Sequence, residues 1–285
     1  MPICVLTVIL LRRYARESPL NPAGRTDRPG LVLGVLALSG VTAGFITAGQ
    51  RGWPSPLPGG LLTAGVVAAW WFLRAERRQD APVLPLRLFR SRTFSGAVGV
   101  GMLFNLVLYG TLLCLSLFLQ EARHEPVLVT GFLLLPMSVV VGLGSLASGR
   151  LTARFGPRPP MLAGLTLAAA GAAALAVAGT GPLWLIVASS VLLGLVSLAM
   201  PAITAVVVGA AGPEHAGVAS GILNAARQSG GALGVALLGS LLGSEAAAGH
   251  ALNLRAPLVV ATAGYLIAAA VTWFTIRDTS EQNGR

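Results

Sequence analysis

Apolar residues fall along this chain in long runs separated by short polar breaks, and that rhythm predicts its architecture. A helix that crosses a bilayer needs roughly 20 apolar residues. Runs that meet or approach this length cover 30–49, 58–73, 94–119, 127–148, 160–179, 183–208 and 256–276. An eighth, 217–243, is less apolar but carries no charge except Arg227. Ile3 to Leu11 adds a further apolar stretch of nine residues. At about 1.5 Å per residue it reaches only half of a ~30 Å hydrocarbon core. That stub lacks the charged start and small-residue cleavage site of a secretory signal, since Arg12 and Arg13 follow it. It fits a short interfacial segment or the last half of a span whose beginning is absent, and the second reading is adopted here.

The breaks carry the residues that end helices. Pro22, Gly24, Pro29 and Gly30 mark one, and Gly52, Pro54, Pro56, Pro58, Gly59 and Gly60 mark another. Pro157, Pro159 and Pro160 precede the run at 160, where proline is tolerated because early helix N–H groups lack partners. The fold expected is all-α and membrane-integral. The chain divides into a remnant and loop (1–29), two transmembrane helices (30–79), an amphipathic interfacial connector (80–93), six helices (94–276) and a tail (277–285).

Composition removes the competing classes. A length of 285 residues suits two soluble domains of ~150 residues. With 54% hydrophobic and 11% charged residues, against about 25% charged in soluble domains, that reading fails. All twenty basic residues are arginine, against ten acids, a net charge of +10. Such a balance suggests nucleic acid only when the cations cluster on a soluble fold. Here sixteen of the twenty lie at alternate breaks (12–29, 74–93, 149–159 and the C-terminus), and Arg227 on the entry to the 217 segment is counted with them. The remaining breaks hold Arg51, Arg123 and Arg255. Cytoplasmic loops are enriched in arginine and lysine, so the alternation supports the span count, places the C-terminus in the cytoplasm and excludes a nucleic-acid partner. Cys4 and Cys114 lie inside apolar runs and define no disulfide framework, and His124, His215 and His250 have no metal-ligand spacing.

Charge at membrane depth is the usual pointer to function. All ten acids lie in loops or at span ends, and no nucleophile has a base at a useful spacing, so an enzyme has no support. Polar residues collect on two helices. Asn105, Tyr109 and Ser116 share one face of the 94–119 run, and Asn224, Gln228 and Gly231 share another with Arg227 beside them. Asn224 and Gln228 either bond a neighbouring helix or line a substrate pathway. Arg227 has three readings: a conformational gate, a substrate contact, or an anchor that snorkels to the cytoplasmic surface. Gly217 and Gly221, Gly230 and Gly234, with Gly231 between, have the spacing that lets helix backbones approach. The segment Gly149-Arg-Leu-Thr-Ala-Arg-Phe-Gly-Pro-Arg158 reads as a tight cytoplasmic loop, with Gly149 and Gly156 for the reversal. Its Arg150, Arg154 and Arg158 are donors for helix carbonyls or carboxylates.

This segment resembles the G-x-L-x-D-R-x-G-R-R motif of the major facilitator superfamily, found between the second and third helices of each six-helix half. Ala153 stands at the position of the motif's Asp. Pro85-Leu-Arg-Leu-Phe-Arg-Ser-Arg-Thr-Phe94 and the glycine-rich run Gly217 to Gly234 resemble the fourteen-helix drug:proton antiporter family, the EmrB/QacA type. The resemblance implies an exporter of small lipophilic compounds in the plasma membrane, with two six-helix halves, two linking helices and a cavity of alternating access. It implies no bound cofactor, the proton gradient being the energy source. Mapped onto this chain, 3–11 ends the sixth helix, the runs at 30 and 58 are the linking pair, and 94–276 is the C-terminal half. The resemblance then gives Asn105, Tyr109, Asn224 and Gln228 a place on the substrate pathway. It gives Gly149, Arg150, Arg154, Gly156, Arg158 and Arg227 a part in switching. The partners are lipid, the substrate, and a missing half in cis or on a partner chain. The alternative is a non-transporting fragment or a half-transporter that needs that partner.

The mapping expects the DNA directly upstream of Met1 to continue in frame for roughly 170–200 residues, at ~20 residues per span plus loops. A neighbouring six-helix gene would instead favour a split transporter, and stop codons a decayed one.

Overall fold

The computed structural model describes residues 28–52, 54–76, 87–179, 181–247 and 252–276. The apolar stub at 3–11, most of the interfacial connector and the tail after Ile276 lie outside the described residues.

Among the described residues every expected run is helical. Helix α1 spans Arg28–Arg51, α2 Pro56–Glu76, α3 Arg92–Leu117, α4 Val127–Phe155 and α5 Arg158–Ala178. One further span is built from α6 (Leu183–Gly194) and α7 (Ala199–Ala211), and α8 (Ala216–Ala247) and α9 (Arg255–Thr275) complete the chain. Six of these rods are long and apolar enough to cross a membrane: α2, α3 with its outer extension, α4, α5, α6–α7 and α9. The other two fall short for a chemical reason. Helix α1 has only a shorter apolar stretch, Val32–Ala48. Helix α8 carries Asn224, Arg227, Gln228 and many glycines. These two helices pack against each other, which reduces the weakly apolar surface that each presents to lipid.

The six helices from α3 onward form one bundle with a repeating logic. The first helix of each triplet packs against the second of the other: α3 on α8, and α6–α7 on α4. The third helices, α5 and α9, pack on each other and on α6 and α3 respectively. That exchange is what two structural repeats within one half produce. Its core contains Phe94, Phe104, Leu115, Leu165, Ile186, Leu238 and Tyr265, all fully or nearly fully buried. The outer surface is apolar, with Leu128, Phe132, Leu143 and Leu146 of α4 exposed along one helix, as a bilayer solvent requires. Trp70 and Trp71 stand edge-to-face near the end of α2, with Arg74 over Trp70 at 5.4 Å. Trp184 and Trp273 are exposed at other helix ends. Aromatic rings at this level are typical of a membrane interface.

Two departures from straight helix were not expected. Helix α3 ends in a wider turn over Phe118–Ala122. The span from Leu183 to Ala211 tightens at Leu195–Leu198 into a 3-10 turn. Pro201 explains the second: it has no N–H for the Ser197 carbonyl, so the preceding turn loses regular pairing. The Ser148 hydroxyl of α4 donates to the Leu198 carbonyl at 2.6 Å, holding the break from outside.

Glycine sets the closest contact in the bundle. Parallel helices α3 and α8 meet where Gly230 lies on the Met102 carbonyl and Gly234 on the Leu106 carbonyl. A Cβ on Gly110 would approach the Gly234 carbonyl oxygen to 2.6 Å. Gly217 and Gly221 have nothing within 4 Å and are exposed, so they take no part in this crossing. Replacing Gly234 with alanine is expected to destabilise the chain by about 1–3 kcal/mol through overpacking. Gly217→Ala changes stability by less than about 0.5 kcal/mol. Thermal unfolding of both variants in detergent distinguishes them.

Candidate functional site

The residues read as a cytoplasmic loop are mostly helical. Helix α4 continues to Phe155, so Gly149, Arg150 and Arg154 occupy its last turns. Gly149 is exposed, with open space around it. The reversal is confined to Gly156 and Pro157, and Gly156 adopts φ 81°, a backbone region that favours glycine. The expectation of a ten-residue loop with two turning glycines is therefore corrected. Nothing from Gly149 to Phe155 breaks a helix, and Pro157 lies beyond its end.

The three arginines of this segment differ in what they touch. Arg150 is exposed. Arg154 lies over its neighbour Phe155 at 5.2 Å. Arg158 opens α5 and reaches α9, where its guanidinium stacks 4.3 Å from the Trp273 ring centroid and donates to the Trp273 carbonyl at 3.1 Å. The Thr93 hydroxyl donates to the Thr275 carbonyl at 3.1 Å. Helix ends leave four carbonyls without partners, and here α3 and α5 supply donors to the end of α9. A cleft of about 640 Å³ opens beside this junction, bounded by Ser91, Thr93, Thr152, Gly156, Val206 and Ile276 among others.

At the opposite end of the bundle Arg123 does similar work. Its guanidinium donates to the carbonyls of Gly179, at 2.9 Å, and Gly181, and lies 5.9 Å from the Phe118 ring centroid. One of the three arginines off the basic side is thus a cap on the end of α5. The Arg158 contact matches the reading of that segment's arginines as donors to helix carbonyls, whereas the Arg123 cap was not read from the sequence. Each donor is far in sequence from its carbonyl, and only the position of an arginine beside a helix end hinted at it.

The polar faces of α3 and α8 come together. The Tyr109 ring packs on Gly231, where a Cβ would sit 3.1 Å from the ring. Tyr109 is 47% exposed, and Asn224 and Gln228 are exposed, one turn apart on α8. Arg227 lies between them, partly buried. Its Cγ is 3.5 Å from where a side chain on Gly101 of α3 would begin. Asn105 differs: it is 4% exposed, inside the bundle. Ser116, on the same helix, accepts from Gln120 at 2.9 Å. Among the described residues, every carboxylate is in a loop or at a helix end.

Comparison with known proteins agrees with this bundle. The family model described as Major Facilitator Superfamily matches residues 30–235 and 127–285. The chain belongs to the major facilitator superfamily. Membership in this superfamily makes it a membrane protein of a transporter family, not an enzyme. It is similar to the methylenomycin A resistance protein of Streptomyces coelicolor, 34% identical over 281 residues, 96% of this chain and 57% of that protein. The multidrug resistance protein Stp of Mycobacterium tuberculosis is 34% identical over 243 residues, 85% of this chain and 45% of that protein. The tetracenomycin C resistance and export protein of Streptomyces glaucescens is 36% identical over 245 residues, 84% of this chain and 44% of that protein. This superfamily member therefore spans less than three fifths of the length of each of these relatives.

The Arg158–Trp273 contact should be measurable. A double-mutant cycle of Arg158→Ala and Trp273→Ala is expected to return a coupling of about 0.5–1 kcal/mol in thermal unfolding. The exposed Arg150→Ala serves as the control, within about 0.5 kcal/mol of the unmodified chain.

Proposed function

We propose that this chain is the C-terminal portion of an efflux transporter for small lipophilic compounds, of the fourteen-helix drug:proton antiporter branch. Helices α1 and α2 are the linking pair, and α3 to α9 form the C-terminal half. The transporter sits in the plasma membrane with its C-terminus in the cytoplasm. The observation that carries this reading is the set of relatives, which includes resistance proteins and one protein named for export. The arginine alternation supports the orientation.

In this reading Tyr109, Asn224 and Gln228, with Asn105 behind them, line the substrate pathway. Their place on two adjacent helices, three of them exposed, favours that role. Gly149, Arg150, Arg154, Gly156 and Arg158, together with Arg227, act in switching between inward- and outward-open states. The contact of Arg158 with the end of α9 supports a coupling between that turn and the last helix. A cavity of alternating access forms between two halves, so transport needs a second six-helix half, in cis or on a partner chain. The coverage of less than three fifths of the relatives favours the same requirement.

Expression in an efflux-deficient bacterial host tests the reading. Joined to or co-expressed with the N-terminal half of a relative, the chain is expected to raise the inhibitory concentration of at least one lipophilic antibiotic several-fold. Collapse of the proton gradient should remove the effect. Proton-coupled efflux from vesicles by the chain alone would overturn the requirement for a second half. Absence of export from every pairing would overturn the transporter assignment.

A further inference from the structure

The polar face of α3 and α8 carries a permanent positive charge and, among the described residues, no carboxylate to neutralise it. Arg227 lies eleven residues beyond Ala216, the start of the 32-residue α8, about 16 Å along the helix at 1.5 Å per residue. Arginine remains protonated in proteins, so its charge is constant at any working pH. An unpaired charge at this depth is costly, and such residues usually face a cavity or a partner.

The packing of its stem places Arg227 in the crossing of α3 and α8. Its stem leaves α8 beside Gly101, where Leu223 and Ile203 also converge. The Tyr109 ring lies on Gly231, about one turn beyond Arg227 on α8. Tyr109 is two turns further along α3, which runs parallel to α8. Arg227 therefore leaves α8 at a level between Gly101 and Tyr109 of α3, well inside the span. Asn224 and Gln228, each with amide donors, are exposed on the same helix, and Tyr109 with its hydroxyl is half-exposed on α3. The Tyr109 ring, 47% exposed, supplies an apolar wall.

A fixed cation, neutral donors and an aromatic wall form a recognition surface for one chemical class. From this arrangement we infer that Arg227, with Tyr109, Asn224 and Gln228, binds amphipathic organic anions: aromatic or alicyclic compounds that carry a carboxylate. The inference rests on the efflux reading for its biological sense, since it names the substrate class of that pathway. Lipophilic cations are disfavoured here, because this face repels them and offers no acid to hold them.

The test measures binding without transport, so the two readings fail separately. The full 285-residue chain is placed in zwitterionic nanodiscs and titrated with dansylglycine, a fluorescent carboxylate. Its uncharged amide is titrated in parallel, and empty nanodiscs are subtracted. The carboxylate is expected to bind about tenfold more tightly than the amide, about 1.4 kcal/mol. Arg227→Gln should remove that preference, while Arg227→Lys keeps it within about threefold because the charge remains. Gln228→Leu, at an exposed position, should weaken the carboxylate about two- to fivefold and serves if Arg227→Gln does not fold. Equal binding of carboxylate and amide, or a preference unchanged in Arg227→Gln, overturns the inference. If the chain binds the carboxylate selectively and no pairing exports anything, the binding site stands and the efflux reading falls. Export without this selectivity gives the converse.

Discussion

The backbone-to-backbone crossing of α3 and α8 is the contact on which the rest of the molecule depends. In lipid there is no hydrophobic gain from bringing two apolar helices together, so close packing must supply the attraction. Gly230 and Gly234 supply it by seating α8 directly on the Met102 and Leu106 carbonyls of α3. The same crossing sets the candidate site. It lays the Tyr109 ring on Gly231 and the Arg227 stem against the small residue Gly101. Bulk at the crossing would separate the helices and take the polar face apart with them.

Helix ends are the second constraint, because each leaves carbonyls that lipid cannot satisfy. The bundle answers with side chains from distant helices. Arg123 bonds the end of α5 on one side, and Arg158 and Thr93 bond the end of α9 on the other. These contacts tie the third helices of the two triplets to their neighbours, so the bundle is bound at both ends. Its most evident interior irregularity is the turn at Leu195–Leu198, held by Ser148 from α4.

The basic excess of the chain has two physical meanings. Among the described residues most of the arginines lie near helix ends, where Arg123 and Arg158 reach helix carbonyls. Arg227 alone among those of the described spans sits well inside one, against α3 and beside a polar face. Its position distinguishes it from the rest, although its residue type does not.

Much of this protein was legible in the order of its residues. Long apolar runs with proline and glycine at their ends specify membrane helices because lipid leaves backbone groups no other partner. Among the described residues those runs located every membrane-length rod, to within a few residues at most ends, and the glycine spacing at 230 and 234 pointed to a close approach. The pattern could not say which glycines meet a neighbour: Gly217 and Gly221 share that spacing and face open space. Nor could it show that α4 extends to Phe155, since the arginines that mark a membrane boundary do not end a helix. Whether Asn105 or Tyr109 is open, and what the Arg227 stem meets, depends on how α3 and α8 are rotated against each other. That rotation is set by contacts between residues more than 100 positions apart. Periodicity along one helix specifies a face, and only packing specifies what the face meets.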